Sequence, residues 1–283
     1  MVDVNAYQAD RETAWCPGCG NFPLRTALAD ALAEMDLKPE EVTMYTGIGQ
    51  AAKMPHYLKV NGFNGLHGRS LPPAIAMRVA NPEMTVIVES GDGCSYGEGG
   101  NHILHNIRRN LDIIHLVHDN QIYGLTKGQA SPTSGEDIVT PVQPYGVNAE
   151  PFNPVRFAVG MKASFVARST VGDREHLKAM IKEAKKHRGY ALIDIFQPCV
   201  SFNKINTYKW YNERVYKLED HDPTDYEAAV KVANEFGDKI PIGIIYREEK
   251  ATFRDRIPYL EDKALVEREV KPQDLEFLLA EFQ

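Results

Sequence analysis

The chain has 283 residues, of which 43% are hydrophobic and 25% are charged, and its formal net charge is −7. This composition is typical of a globular protein long enough to form one large α/β core or two small ones. The acidic balance, without a long basic run, argues against a nucleic acid partner. No apolar run approaches the length of a membrane span, so we expect no membrane insertion and a cytoplasmic location.

The first pattern with chemical meaning is a pair of cysteines, Cys16 and Cys19, separated by a proline and a glycine. The intervening proline and glycine favour a tight turn that aims both cysteine sulfurs at one point. The other cysteines are Cys94 and Cys199, and in a reducing compartment such a set favours metal or redox chemistry over disulfides. Thiolates placed in this way suit zinc or an iron–sulfur cluster. A thioredoxin-like pair is the alternative, although that motif follows a strand and this turn precedes the first predicted strand.

Two loops with glycines come next. Helical periodicity predicts a helix over 22–35, and a short strand is predicted over 42–45. The strand leads into a loop that contains Thr46, Gly47, Ile48, Gly49, Gln50 and Lys53. The second loop contains His67 and Gly68 and precedes a predicted helix over 72–79. By residue type alone, His67 is an ordinary loop histidine.

The most informative stretch combines two buried strands with polar residues at their ends. Residues 84–88 are apolar and β-branched, which predicts a strand that runs into Gly91-Asp92-Gly93. A helix over 99–109 and a second strand over 113–117 come after it, and that strand leads to Asn120. Ligands bind at the carboxyl ends of strands in an open parallel sheet. We therefore expect the aspartate and the asparagine to share one site.

The residue types at this site favour Mg²⁺ and a diphosphate. Glycines let the backbone approach a phosphate, and N–H groups at a helix start stabilise its charge. Asp92 and Asn120 supply one charged and one neutral oxygen, which Mg²⁺ prefers together with phosphate oxygens, a backbone carbonyl and water. Gly-Asp-Gly alone is also common in ordinary turns, so the prediction depends on the second strand and on the residues after Asn120.

These motifs carry a resemblance to a known family. The spacing from Gly91-Asp92-Gly93 to Asn120 resembles the thiamine diphosphate motif. The stretch from Asn120 to Thr133, with Tyr-Gly-Leu-Thr-Lys-Gly-Gln inside it, is similar to the β subunit of 2-oxoacid:ferredoxin oxidoreductases. Cys-Pro-Gly-Cys-Gly from Cys16 onward carries the same resemblance at an independent position. Scattered motifs extend the likeness over about residues 12–260.

Alternating strands and helices predict a doubly wound α/β structure, and the resemblance implies its type and activity. The fold is a mainly parallel sheet of the thiamine diphosphate-binding type, with the cofactor and iron–sulfur domain over 1–200. Residues 201–283 form a C-terminal extension that packs on the core and on the partner subunit. The implied reaction is the reversible oxidative decarboxylation of a 2-oxoacid. Coenzyme A accepts the acyl group, and a [4Fe–4S] cluster passes electrons to ferredoxin.

The resemblance also implies a partner. In the family, the carboxylate that activates thiamine comes from a second, homologous domain. This chain is too short to contain such a domain, so we expect an α subunit to complete the active site in a heterodimer or heterotetramer.

Carried onto this sequence, the resemblance implies the site residues. Mg²⁺ is held by Asp92, Asn120 and the carbonyl of Ile122. Lys53 and Leu125 line the substrate pocket, where the Lys53 ammonium pairs with the distal carboxylate of 2-oxoglutarate. A solvated surface lysine is the alternative, with pyruvate or a branched-chain 2-oxoacid as substrate. The cofactor site comprises Thr46, Gly47, Ile48, Gly49, His67, Gly68, Gly91, Asp92, Gly93, Cys94, Asn120, Ile122, Tyr123, Gly124, Leu125 and Thr126.

The cluster ligands depart from the family pattern at one position. Cys16, Cys19 and Cys199 match three expected ligands, but Gln50 stands where the family usually carries a cysteine. A [4Fe–4S] cluster normally takes four cysteines, so we expect Cys94 to be the fourth. The alternative is that Cys94 is a small buried residue beside the diphosphate. The cluster is then held by three cysteines and a non-protein ligand, or is absent.

Two other functions account for part of the sequence. A non-catalytic scaffold that binds zinc explains the cysteine pair but not the spacing from Asp92 to Asn120. A thiamine-dependent decarboxylase half without electron transfer explains the cofactor motif but not the four cysteines.

The rest of the chain continues the α/β pattern. An irregular loop over 129–151 precedes a helical piece over 157–161 and a strand over 163–167. A helix to 186, capped by Thr170 or Asp173, leads to a buried strand over 190–196. A short helix over 228–236 and an edge strand over 240–246 complete the predicted elements. The intervening aromatic residues form a solvated strap on the core or a partner interface, and they are Tyr208, Trp210, Tyr211 and Tyr216.

Overall fold

The computed structural model describes residues 2–260, 263–269 and 273–282. The predicted extents 1–200 and 201–283 also include residues 1, 261–262, 270–272 and 283, and at those positions the prediction lies outside the described residues.

The elements lie within a few residues of the predicted bounds where a prediction was made. The strands are β1 (Val42–Thr46), β2 (Asn61–Asn64), β3 (Thr85–Gly91), β4 (Ile113–Asp119), β5 (Phe165–Thr170), β6 (Tyr190–Phe196), β7 (Val215–Lys217) and β8 (Ile240–Arg247). The helices are α1 (Asn21–Glu34), α2 (Leu71–Ala80), α3 (Gly100–Arg109), α4 (Pro154–Gly160), α5 (Arg174–Lys186), α6 (Tyr208–Asn212), α7 (Tyr226–Ala233) and α8 (Gln273–Ala280).

These strands form one sheet in the order β2-β1-β3-β4-β6-β5-β8-β7. Neighbouring strands run parallel, except that β5 and β8 are antiparallel. The prediction of a mainly parallel α/β sheet is confirmed. Part of the predicted C-terminal extension, namely β7 and β8, belongs to this same sheet.

The edge position predicted for residues 240–246 is wrong, because β8 lies between β5 and β7. The true edges, β2 and β7, were not predicted. Both are short. Every residue of β2 is exposed to solvent, and every residue of β7 is exposed or half-buried. They therefore lack the buried apolar run by which a strand is recognised in a sequence.

Helices cover both faces of the sheet. One face packs against α1 and α5, and the other packs against α2, α3, α4 and α7. Successive strand residues alternate between the two cores, so Met44 lies in the first core and Tyr45 in the second. Asp173, rather than Thr170, caps α5, since its side chain accepts the N–H of His176 at 3.0 Å.

Tyr211, one of the four aromatic residues of the predicted strap, packs on the core. It is 1% exposed, and its ring stacks on Phe196 with centroids 4.5 Å apart. In the described part of the chain, no helix is long and apolar enough to span a membrane.

The four strands β1, β3, β4 and β6 are consecutive neighbours and run parallel. The loops that leave their carboxyl ends therefore emerge at one edge of the sheet. These loops begin at Gly47, Asp92, Asn120 and Gln197. The candidate site is built from them and from the segment that precedes α1.

Candidate active site

Asp92 directly follows β3 and its carboxylate is buried, with 2% of the residue exposed. Its Oδ2 accepts hydrogen bonds from Ser131 Oγ at 2.5 Å and from Thr133 Oγ1 at 2.7 Å. Burial raises the pKa of Asp92 to about 6, against the opposing effect of these hydroxyl groups. A buried carboxylate with neutral donors is poorly stabilised, so the site suits a cation such as Mg²⁺.

Asn120 directly follows β4 and contacts two loops. Its Oδ1 accepts the N–H of Ile122 at 3.0 Å, and its Nδ2 donates to Gln197 Oε1 at 3.3 Å. Gln121, between them, takes a left-handed backbone conformation with φ of 57°. An amide oxygen has two lone pairs, so Oδ1 retains the capacity to bind a metal ion beside this turn.

A cleft, here called the cofactor cleft, brings together most of the predicted cofactor residues. Four loops line it, and they follow β1, β2, β3 and β4. Its predicted lining residues are Ile48, Gly49, His67, Gly91, Asp92, Gly93, Cys94, Asn120, Ile122, Tyr123, Gly124, Leu125 and Thr126. Gln50 and Ala51 complete the wall.

Three predicted cofactor residues lie behind this wall instead of lining it. Thr46 Oγ1 accepts from Asn64 Nδ2 at 2.6 Å. The Gly47 N–H donates to Ser90 Oγ at 3.2 Å, and the Gly68 N–H donates to Cys94 Sγ at 3.2 Å. The last two contacts hold the loops after β1 and β2 against the end of β3 and the loop that follows it.

Glycine is required at two places where loops approach closely. A Cβ on Gly93 would lie 2.1 Å from Cε1 of Tyr123, and a Cβ on Gly47 would lie 2.3 Å from Sγ of Cys94. Both separations are shorter than any side chain tolerates, so only glycine permits this packing. On the same wall, His67 Nδ1 lies 2.9 Å from Glu98 Oε2.

A second cleft, here called the cysteine cleft, adjoins the first. Cys16, Cys19 and Cys199 lie on its wall, beside Gln50 and the ring of Trp15. The pKa of the Cys19 thiol is raised by burial and, less strongly, by the nearby Cys199 and Cys16. Gln50, Asn120 and Gly124 line both clefts. Among the described residues, no three His, Cys, Asp or Glu side chains converge closely enough to hold a single metal ion.

Cys94 is not brought together with the other three cysteines. It lines the cofactor cleft, is 3% exposed, and its sulfur accepts the N–H of Gly68. The short π-helical turn Gly93–Glu98 sets this direction. Its place matches the alternative of a small buried residue beside the predicted diphosphate.

The two predicted substrate residues are placed differently. Leu125 lines the cofactor cleft and is 38% exposed. Lys53 lies on the 3₁₀ turn Ala51–His56, which comes after the cleft residue Gln50, and it is half-buried but lines neither cleft.

Sequence reasoning missed the residues that support Asp92. Thr133 Oγ1 lies within hydrogen-bond distance of Asp92 Oδ2 and also 2.8 Å from Asp119 Oδ1. Ser131 and Thr133 belong to an irregular loop, where no periodicity marks which hydroxyl groups turn inward. Their position inside the family-like stretch after Asn120 was the one available signal.

Comparisons with known proteins show the family to which the chain belongs. Residues 42–195 match the family described as "Thiamine pyrophosphate enzyme, C-terminal TPP binding domain". Residues 199–262 match the family of the C-terminal region of the pyruvate ferredoxin oxidoreductase beta chain. The chain is 41% identical to the 2-oxoacid:ferredoxin oxidoreductase subunit beta of Saccharolobus solfataricus, covering 94% of this chain and 95% of that one.

The chain belongs to the β subunits of the 2-oxoacid:ferredoxin oxidoreductases. A second relative of this β subunit is subunit beta of 2-oxoacid:ferredoxin oxidoreductase 1 from Aeropyrum pernix, 41% identical over 90% of this chain and 84% of that one. A third is the 2-oxoglutarate oxidoreductase subunit KorB of Mycobacterium tuberculosis, 38% identical over 78% of this chain and 61% of that one.

A solved structure confirms the fold. The 2-oxoglutarate:ferredoxin oxidoreductase from Magnetococcus marinus, solved with 2-oxoglutarate, coenzyme A and succinyl-CoA bound, matches with a TM-score of 0.92 and 33% identity. The match covers 99% of this β subunit and 96% of that chain. A β subunit of a multi-subunit oxidoreductase implies an α partner, as the family resemblance led us to expect.

Proposed function

We propose that this β subunit binds thiamine diphosphate and Mg²⁺ in the cofactor cleft and a [4Fe–4S] cluster in the cysteine cleft. With its α subunit, it catalyses the reversible oxidative decarboxylation of 2-oxoglutarate. The observation that carries the proposal is that the two clefts adjoin and share Gln50, Asn120 and Gly124. Groups held in them would be close enough for electrons to pass directly from one to the other.

The cofactor cleft fits Mg²⁺ and a diphosphate by its donor set. Asp92 supplies a buried carboxylate whose side-chain donors are neutral hydroxyl groups. Asn120 supplies an amide oxygen, and Ile122 lines the same cleft. Mg²⁺ prefers hard oxygen ligands of these kinds. Gly93, which has no side chain to block approach, lines the same cleft.

The cysteine cleft fits an iron–sulfur cluster by its donor set as well. Cys16, Cys19 and Cys199 line one wall, and the pKa of Cys19 is raised by burial and by its cysteine neighbours. A raised pKa means that the thiolate form of Cys19 is unfavourable without a partner. Bound iron offsets this because it holds the sulfurs as thiolates. Gln197 Nε2 lies 3.5 Å from Cys19 Sγ, as a donor that stabilises a thiolate.

Thiamine diphosphate supplies, when bound, the carbanion chemistry that releases CO₂ from a 2-oxoacid. The residues of this chain bind and orient it. Asp92 and Asn120 fix the metal and hence the diphosphate. Ile48 and Leu125 place apolar surface on the cleft wall, which excludes water from the reacting atoms.

The choice of 2-oxoglutarate rests on Lys53, because an ammonium pairs strongly with a distal carboxylate. Lys53 lines neither cleft in this structure, so the proposal requires its side chain to reach the cofactor cleft when the substrate binds. The solved neighbour that matches this chain binds 2-oxoglutarate, coenzyme A and succinyl-CoA. Coenzyme A as acyl acceptor, ferredoxin as electron acceptor and a cytoplasmic location complete the proposal.

The test uses the α–β complex purified without oxygen. We expect thiamine diphosphate, Mg²⁺, iron and acid-labile sulfide in it, and ferredoxin reduction that depends on both 2-oxoglutarate and coenzyme A. The isolated β subunit should show no turnover. Iron without thiamine would favour a metal scaffold, thiamine without iron a decarboxylase half, and turnover by the isolated chain would contradict the need for an α subunit.

A further inference from the structure

Gln50, on the wall of the cysteine cleft, carries a buried polar atom with no hydrogen-bond partner among the described residues. The amide oxygen Oε1 of Gln50 is inaccessible to solvent and accepts no hydrogen bond from any described residue. A buried acceptor left in this state is unfavourable, because it has lost water without gaining a partner. A residue that carries such an atom on the wall of a site with three cysteines is a candidate ligand, since a bound metal would satisfy it.

The backbone holds Gln50 beside the cysteines. Trp15 Nε1 donates to the backbone carbonyl of Gln50 at 2.9 Å, and Cys16 is the next residue after Trp15. The loop after β1 is therefore tied to the segment that carries the first cysteine. Gln50 and Cys199 also lie on the same cleft wall.

Cys94 is poorly placed to compete for this position. Its sulfur lies against Gly47, accepts the Gly68 N–H at 3.2 Å and lines the other cleft. To reach the cysteine cleft it would have to leave this packing. Gln50 already lies between the two clefts and lines both.

We infer that the Gln50 amide oxygen is the fourth protein ligand of the iron–sulfur cluster, completing a set of three thiolates and one neutral oxygen. This inference rests on the proposed function, because it requires the cluster. A neutral ligand adds no further negative charge to a site that already supplies three cysteine thiolates to the cluster. One iron then differs chemically from the other three, and the cluster carries one charge less than a four-thiolate cluster.

The test is spectroscopic and uses the anaerobic α–β complex with Gln50→Ala, Gln50→Cys and, as a control at an exposed amide that lines neither cleft, Gln8→Ala. In wild type, Mössbauer spectra should resolve one distinct iron, and pulsed EPR of the reduced cluster in H₂¹⁷O should show no bound solvent oxygen. Gln50→Ala should gain the ¹⁷O coupling. Gln50→Cys should lose the distinct iron and lower the midpoint potential, since a fourth thiolate adds negative charge. Gln8→Ala should keep the distinct iron.

Equal ¹⁷O coupling in wild type and Gln50→Ala would show a solvent ligand and overturn the inference. If Gln50→Ala fails to assemble, Gln50→Cys decides: a distinct iron retained there would show that position 50 is out of reach. A wild-type complex without iron would contradict the proposed function itself, whereas a full cluster indifferent to Gln50 would contradict this inference alone.

Discussion

The hydroxyl oxygen of Thr133 lies 2.7 Å from Asp92 Oδ2 and 2.8 Å from Asp119 Oδ1. It thereby ties the irregular loop between β4 and α4 to the carboxyl ends of two neighbouring strands. Because Asp92 is the charged oxygen donor of the proposed Mg²⁺ site, this contact positions the carboxylate. The folded loop, and not only the two strand ends, therefore sets the geometry of the cofactor cleft.

Removing this hydroxyl should weaken both the fold and the site. Thr133→Val leaves two buried carboxylates with one donor fewer, which we expect to lower the free energy of unfolding by about 1–3 kcal/mol. Affinity for thiamine diphosphate with Mg²⁺ should fall as well. Thermal unfolding with and without the cofactor measures both effects, and Thr133→Ser, which keeps the hydroxyl, is the control. Equal behaviour of the two variants would refute the positioning role.

Asp92→Asn should abolish cofactor binding, because it removes the charged oxygen that the proposed metal requires. The amide is close in size, so the loss should occur without unfolding. Thiamine content of the purified complex is the measurement. Asp137→Asn changes an exposed acid on the irregular loop between β4 and α4 and should retain full occupancy. Wild-type thiamine content in Asp92→Asn would mean that the metal is held elsewhere.

Lys53→Ala tests the substrate. If its ammonium pairs with the distal carboxylate, kcat/KM for 2-oxoglutarate should fall by about 10- to 100-fold, the loss of one charge-assisted hydrogen bond. The value for pyruvate, which lacks that carboxylate, should be unchanged. Lys59→Ala, at an exposed position nearby, is the control. An unaltered preference for 2-oxoglutarate over pyruvate in Lys53→Ala would leave the assignment without support.

The buried His115 predicts acid sensitivity. Its Nδ1 lies 2.7 Å from the Tyr190 hydroxyl, and burial lowers its pKa to about 3. An unfolded histidine has a pKa of about 6.5, so protons bind preferentially to the unfolded chain between these values. The stability that the folded chain gains from keeping His115 neutral is therefore fully present above about pH 6.5 and is lost as the pH falls toward 3.

In His115→Gln, the free energy of unfolding should fall less steeply as the pH is lowered. One proton fewer taken up on unfolding corresponds to about 1.4 kcal/mol per pH unit in the slope of stability against pH. Urea unfolding at several pH values between 4 and 6 measures that slope. The same slope in wild type and variant would show that His115 is not protonated on unfolding.

Sequence patterns located the site where a motif coincided with a strand end. Asp92 and Asn120 each follow a strongly apolar strand, so their convergence follows from sheet topology alone. Sheet topology does not predict the direction of the Cys94 side chain, because a π-helical turn that begins at Gly93 sets it. The contacts of Thr133 and Gln50 depend on packing between distant loops. The strand β7 has three residues, and pairing with β8 stabilises it more than its own sequence does.

The most direct test of the account asks whether the two clefts act as one electron path. The anaerobic α–β complex is mixed with 2-oxoglutarate and coenzyme A, frozen, and examined by EPR for the reduced cluster. We predict that the signal appears in wild type and not in Asp92→Asn, although dithionite reduces the cluster in both. No substrate-dependent signal in a wild-type complex that contains thiamine and iron, or an equal signal in Asp92→Asn, would contradict the account.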